Sequence, residues 1–82
     1  MAREQFFSEL FQKHLMALTE ERQEAIRKKI DNIMEMPEHF DFLSKTDRIQ
    51  KARVGKYRVF FRMDGNLVRF IDVKKRDNSY KH

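Results

Sequence analysis

IQKARVGKYRVFFRMDGNLVRFIDV, residues 49–73, contains three runs rich in β-branched and aromatic side chains, at 49–54, 57–63 and 66–73. Asp64-Gly65 separates the last two, and a two-residue pair that tolerates positive φ is a strong hairpin signal. Gly55-Lys56 makes a similar turn between the first two. The expected unit is an antiparallel three-strand meander. Alternation assigns its faces: Tyr57, Val59, Phe61 and Met63 point to the apolar side, and Lys56, Arg58, Phe60 and Arg62 to the other. In the strand before, Lys51 and Arg53 oppose Gln50, Ala52 and Val54. If the registers match, Lys51, Arg53, Arg58 and Arg62 share one open basic face, with Phe60 exposed among them. The third run alternates less cleanly and leaves Arg69 unoriented.

The chain upstream is helical in pattern. Phe7, Leu10, Phe11, Leu15 and Leu18 recur at three- and four-residue steps, with Ser8 as N-cap and Glu9 at the positive helix end. A second helix is expected after Thr19, with Glu20 and Glu21 in its first turn and Ile26, Ile30, Ile33 and Met34 as its apolar stripe. Pro37 biases Met36 away from helix and ends it. The expected fold is therefore α+β: an antiparallel sheet of three to four strands with two N-terminal helices on one face.

With 82 residues, the expectation is a single domain spanning 1–82. There is no cysteine, which excludes disulfides, thiolate nucleophiles and cysteine-ligated zinc. Two glycines leave no glycine-rich phosphate loop. No run approaches the roughly 20 apolar residues of a membrane span, and no apolar signal segment follows Met1, so a cytoplasmic location without membrane partners is expected. Residues 1–41 hold 6 Lys+Arg against 9 Asp+Glu, and residues 42–82 hold 12 against 4, giving −3 and +8 for the stated +5. A strongly basic second half points to a polyanion.

His14, His39 and His82 have no metal-ligand spacing, so no metal or cofactor is expected. His14 reads as a surface residue flanking the helix stripe, and His39 as solvated or capping after Pro37. No serine has a nucleophile-elbow context. A basic face followed by Lys74-Lys75-Arg76 and Tyr80 fits metal-free RNA cleavage. There the ribose 2′-hydroxyl attacks the adjacent phosphorus and expels the 5′-oxygen. The protein must stabilise charge on phosphorus, accept one proton and donate another. Arginine suits the first task because its planar fork bonds two phosphate oxygens. A tyrosine can stack on a splayed base or carry a proton.

Lys51-Ala-Arg-Val-Gly-Lys-Tyr-Arg58, then Val59-Phe-Phe, a hairpin, Ile71-Asp-Val-Lys-Lys-Arg76 and Tyr80, resembles the RelE/ParE toxin superfamily of type II toxin–antitoxin systems. The upstream Ser-x-x-Phe-x-Lys helix start and the Met-Pro helix end are similar too. The resemblance implies a RelE-like fold and, for RelE-type members, a ribosome-associated messenger-RNA endoribonuclease that inhibits translation and leaves a 2′,3′-cyclic phosphate. Arg58 then matches the arginine that stabilises the transition-state phosphate, and Arg76 the second arginine near the leaving group. Tyr80 matches the C-terminal tyrosine that stacks on a base or assists proton transfer. Lys51 and Arg53 match basic residues that hold substrate phosphates and help acid–base work, which makes Lys51 a catalytic candidate. Lys56, Arg62, Lys74 and Lys75 join Arg53 as RNA-binding candidates. The implied partners are messenger RNA, the ribosome and a cognate antitoxin.

Two departures bear on this. The family's first strand falls on Ala2–Phe7, which is polar and poor in β-formers, so that strand is expected to be short, frayed or absent. His82 is either a proton acceptor beside Tyr80 or an unstructured end. The alternative functions are a ParE-like toxin that binds DNA gyrase and an inactive, RNA-binding family member.

Overall fold

The computed structural model describes residues 3–44 and 46–75, apart from the Ser44 side chain. Along the chain run β1 (Glu4–Phe7), α1 (Glu9–Met16), α2 (Glu20–Glu35), a 3-10 turn (Pro37–His39), β2 (Phe42–Ser44), β3 (Ile49–Val54), β4 (Tyr57–Asp64) and β5 (Leu67–Lys75). The strands form one sheet in the order β1-β5-β4-β3-β2. β5, β4, β3 and β2 pair antiparallel, as the meander requires, whereas β1 lies parallel to β5. The sheet is thus mixed and five-stranded, a correction to the expected three to four antiparallel strands.

Both additions come from pairing that local propensity does not encode. The β1 stretch is mostly exposed, yet its backbone docks on β5, with Glu4 N–H donating to Asn66 O at 3.0 Å. Phe7 stacks on Phe70, ring centroids 4.9 Å apart, and sits 5.4 Å from Phe11. The Arg3 guanidinium just before β1 donates to the Met34 and Glu35 carbonyls, each at 2.9 Å, placing a cation on the open C-terminal carbonyls of α2. β2 forms the opposite edge, pairing with β3 through Phe42 and Gln50.

The helix starts are where the sequence puts them. Phe11 N–H donates to Ser8 Oγ at 3.0 Å, and Ser8 Oγ donates onward to Ile71 O at 2.7 Å, tying the α1 cap to β5. Arg22 N–H donates to Thr19 Oγ1 at 3.3 Å. Phe11, Ile26, Ile30 and Ile33 pack on Ala52, Val59, Phe61, Val68, Phe70 and Val73, so both helices cover one sheet face. No helix among the described residues is long and apolar enough to cross a membrane.

Two details differ from the sequence reading. Asp64 pairs with Leu67, so the β4–β5 turn is Gly65-Asn66 rather than Asp64-Gly65. In each hairpin turn only the glycine takes a positive φ, +59° at both Gly55 and Gly65, the arrangement that favours glycine at the first turn position. In β5, Phe60 pairs with Asp72 while Phe61 pairs with Phe70, which leaves Ile71 as an extra residue. That bulge explains the irregular alternation: Val68 and Phe70 are two apart, and the next core residue, Val73, is three further on.

Candidate nucleic-acid interface

Register lays the open face out in cross-strand rows. Arg53 of β3 pairs with Arg58 of β4, and Arg58 pairs with Lys74 of β5, forming a row of three cations. The next row pairs Lys51 with Phe60, while Asp72, the β5 partner of Phe60 at the bulge, is buried with its carboxylate against His14 of α1. The one after holds Ile49, Arg62, Arg69 and, from β1, Phe6.

Beside the first two rows a polar cleft of about 290 Å³ opens at the β3 side of the sheet, lined by His39, Phe40, Asp41, Lys51, Ala52, Arg53 and Arg58. The loop that forms its wall is fixed from below. Buried Gln50 donates through Nε2 to Pro37 O at 2.7 Å and to Phe40 O at 3.0 Å. Lys51 N–H donates to Asp41 O at 2.9 Å, and the Phe40 ring meets Phe61 edge-on at 5.9 Å. The cleft is cationic on its sheet side and carries an imidazole and a carboxylate on its loop side. It therefore offers groups for phosphate binding together with groups able to exchange protons.

The structure brings Lys51, Arg53 and Arg58 together and adds Lys74 to their row, as the sequence reading expected of the open face. Arg62 lies on the same face, farther along β4. Arg69, unoriented from sequence, pairs with Arg62. Its Nε donates to Asp64 Oδ2 at 2.6 Å, and its guanidinium lies 5.6 Å from the Phe6 ring centroid.

Other placements add to the sequence reading or correct it. Lys56 is in the β3–β4 turn, where it lines a helix-side cleft with Arg22 and Tyr57 instead of continuing the open face. Lys75 pairs with Tyr57, a residue of the helix side, so it diverges from Lys74. Phe60 is only 9% exposed rather than displayed among cations, flanked by register with Lys51 and Asp72. His14 is no plain surface residue: its Nδ1 lies 2.6 Å from Oδ1 of the buried Asp72, which also accepts from Val73 N–H at 2.7 Å. Tyr57, by contrast, packs half-buried against the core, as its place on the apolar side implies, with its hydroxyl accepting from Arg22 at 3.1 Å. Arg76, Tyr80 and His82 lie outside the described residues.

The sequence reading missed His39 and Asp41 as cleft residues. The only signal was indirect: Pro37 stops the helix twelve residues before Ile49, so the connection has to fold back along the strand that carries Lys51. Among the described residues no group of three or more His, Cys, Asp or Glu is placed to hold a metal ion.

Residues 6–80 match the family described as the ParE toxin of type II toxin–antitoxin system, parDE. Among curated proteins, no sequence matches significantly. Solved structures are similar over nearly the whole chain. The RelBE2 toxin–antitoxin complex of Mycobacterium tuberculosis is 20% identical, with 93% of this chain and 100% of that one covered and a TM-score of 0.80. The archaeal RelE–RelB complex of Pyrococcus horikoshii is 21% identical, covering 95% and 99% at a TM-score of 0.77. A double-arginine variant of the Escherichia coli toxin RelE, in complex with an antitoxin peptide, is 26% identical, covering 98% and 90% at a TM-score of 0.79.

Proposed function

The chain belongs to the ParE toxin family of type II toxin–antitoxin systems, and from that premise we propose that it is a ribosome-associated messenger-RNA endoribonuclease, working without a metal to inhibit translation in the cytoplasm. The observation that carries this reading is the convergence of Lys51, Arg53 and Arg58 on one polar cleft, with Lys74 next to Arg58. An RNA phosphate seated there meets guanidinium forks and an ammonium group. Attack by the 2′-hydroxyl adds negative charge at phosphorus, and in this reading Arg58, with Arg53 beside it, binds that charge more tightly in the transition state than in the ground state. Lys51 holds the substrate and has protons to give. On the family resemblance, Arg76 and Tyr80 complete the site, one near the leaving oxygen and the other stacked on a base. The products are a 2′,3′-cyclic phosphate and a 5′-hydroxyl.

Expression of the wild-type chain should arrest growth and cleave messenger RNA on ribosomes. Arg58→Ala should reduce cleavage by roughly 10²–10³-fold, the usual loss on removing one donor to a transition-state charge, and relieve the arrest to match. Growth arrest that persists without any cleavage would reverse the reading.

The description of the matched family favours one second reading, a toxin that binds DNA gyrase. Inhibition of gyrase supercoiling with RNA left intact would select it. Binding of RNA with neither cleavage nor toxicity would instead mark an inactive member. Under either toxin reading the partner is a cognate antitoxin. β2 is an edge strand whose Phe42 and Leu43 are half exposed, bordering β3 and its cations, so it suits a partner bringing acidic and apolar side chains. A small acidic chain should copurify.

A further inference from the structure

The proposed reaction needs a proton acceptor for the 2′-hydroxyl, and the cations of the cleft are poor candidates. Arginine stays protonated in proteins, and lysine is a donor in its ordinary charged form. Among the described residues that line the cleft, two have a lone pair to offer: the exposed His39 imidazole and the exposed Asp41 carboxylate. Histidine is the side chain that generally changes charge between about pH 5 and 8, which suits it to take a proton and return it to solvent within one turnover. It stands on a loop held by the Gln50 bonds to Pro37 O and Phe40 O and by the Lys51–Asp41 backbone bond, so its Cα is fixed relative to Lys51.

We propose that His39 is the general base of this site, accepting the 2′-hydroxyl proton across the cleft from Lys51, Arg53 and Arg58. The inference rests on the endoribonuclease reading and adds a catalytic residue to it. The bond formed is O2′–P and the bond broken is P–O5′. The 2′ proton passes to an imidazole nitrogen of His39, and the departing 5′-oxygen takes a proton from the Lys51 ammonium. The imidazolium and the lysine amine then exchange protons with water, which restores both. Among the described residues, the charged groups that line the cleft with His39 are Asp41 on its own loop, Lys51 and Arg53 on β3, and Arg58 on β4, while Glu38, its neighbour in sequence, pairs with Arg3.

The test is a single-turnover pH–rate profile for cleavage of ribosome-bound messenger RNA by the wild type, His39→Gln and Asp41→Asn. Affinity for a 2′-O-methyl RNA, which has no attacking hydroxyl, is measured alongside. The wild-type rate should rise with pH for as long as the base is still losing its proton, and then level off. His39→Gln should slow cleavage by about 10²-fold, abolish that rise and leave RNA affinity within about twofold. Asp41→Asn should keep the rise. The proposal is overturned if His39→Gln retains the rising limb, if its loss of rate is matched by loss of RNA affinity, or if Asp41→Asn removes the limb instead. A wild-type chain that cleaves no RNA removes the nuclease reading and this role with it. That outcome shows in the wild type and not in the variants, so the two failures are told apart.

Discussion

Replacing Arg53 with alanine should weaken RNA binding in a way that depends on salt, and replacing Arg69 should not. Three cations, Lys51, Arg53 and Arg58, line the polar cleft. If each neutralises one phosphate of a single strand, the cleft alone contributes a log–log salt slope of about −2.1, at roughly −0.7 per phosphate. Between about 50 and 200 mM salt that slope lowers affinity about 18-fold, and with Arg53 removed the remaining slope of about −1.4 lowers it about 7-fold. Arg69 lies outside the cleft, its Nε 2.6 Å from Asp64 and its guanidinium over the Phe6 ring, so Arg69→Ala should leave the slope unchanged. Fluorescence anisotropy with a 2′-O-methyl oligoribonucleotide at four or five salt concentrations measures all three slopes. Contacts elsewhere on the chain shift every slope equally, so the difference of about 0.7 between wild type and Arg53→Ala is the decisive quantity. Equal slopes for those two, or an equal drop for both variants, would refute the assignment of the cleft as the phosphate site.

Two further predictions concern stability. His14→Ala removes the shorter hydrogen bond of a carboxylate that is 4% exposed, and should cost about 1–3 kcal/mol, read as a shift in urea midpoint without a change in slope. Gly65→Ala meets no atom within 4 Å of the new Cβ, so its cost is confined to holding alanine at φ +59°. About 1–2 kcal/mol is expected, or a fall in Tm of several degrees for a domain of this size. An unchanged Tm would mean that the turn rearranges.

The parts of this molecule that depend on neighbours in sequence were legible in it. Ser8 and Thr19 announce their helices because a cap satisfies N–H groups three residues away, and Pro37 ends one because its ring acts on the residue before it. The apolar stripe of α2 and the alternation of β4 follow from the fixed periods of helix and strand. The cationic face of β3 and β4 was legible for the same reason, since a short glycine turn sets the register of Arg53 against Arg58. Tertiary structure decided whatever depends on partners far along the chain. Glu4–Phe7 becomes a strand only because β5 offers its edge some sixty residues later, and no local preference records that. One extra residue in β5 moves Val73 back to the core, buries Asp72 and puts His14 beside it. The fold-back of the Pro37–Asp41 segment onto β3 turns a row of charges into a cleft with a wall. Period and turn chemistry are properties of a few consecutive residues, whereas an edge, a bulge and a cleft exist only once distant segments have been brought together.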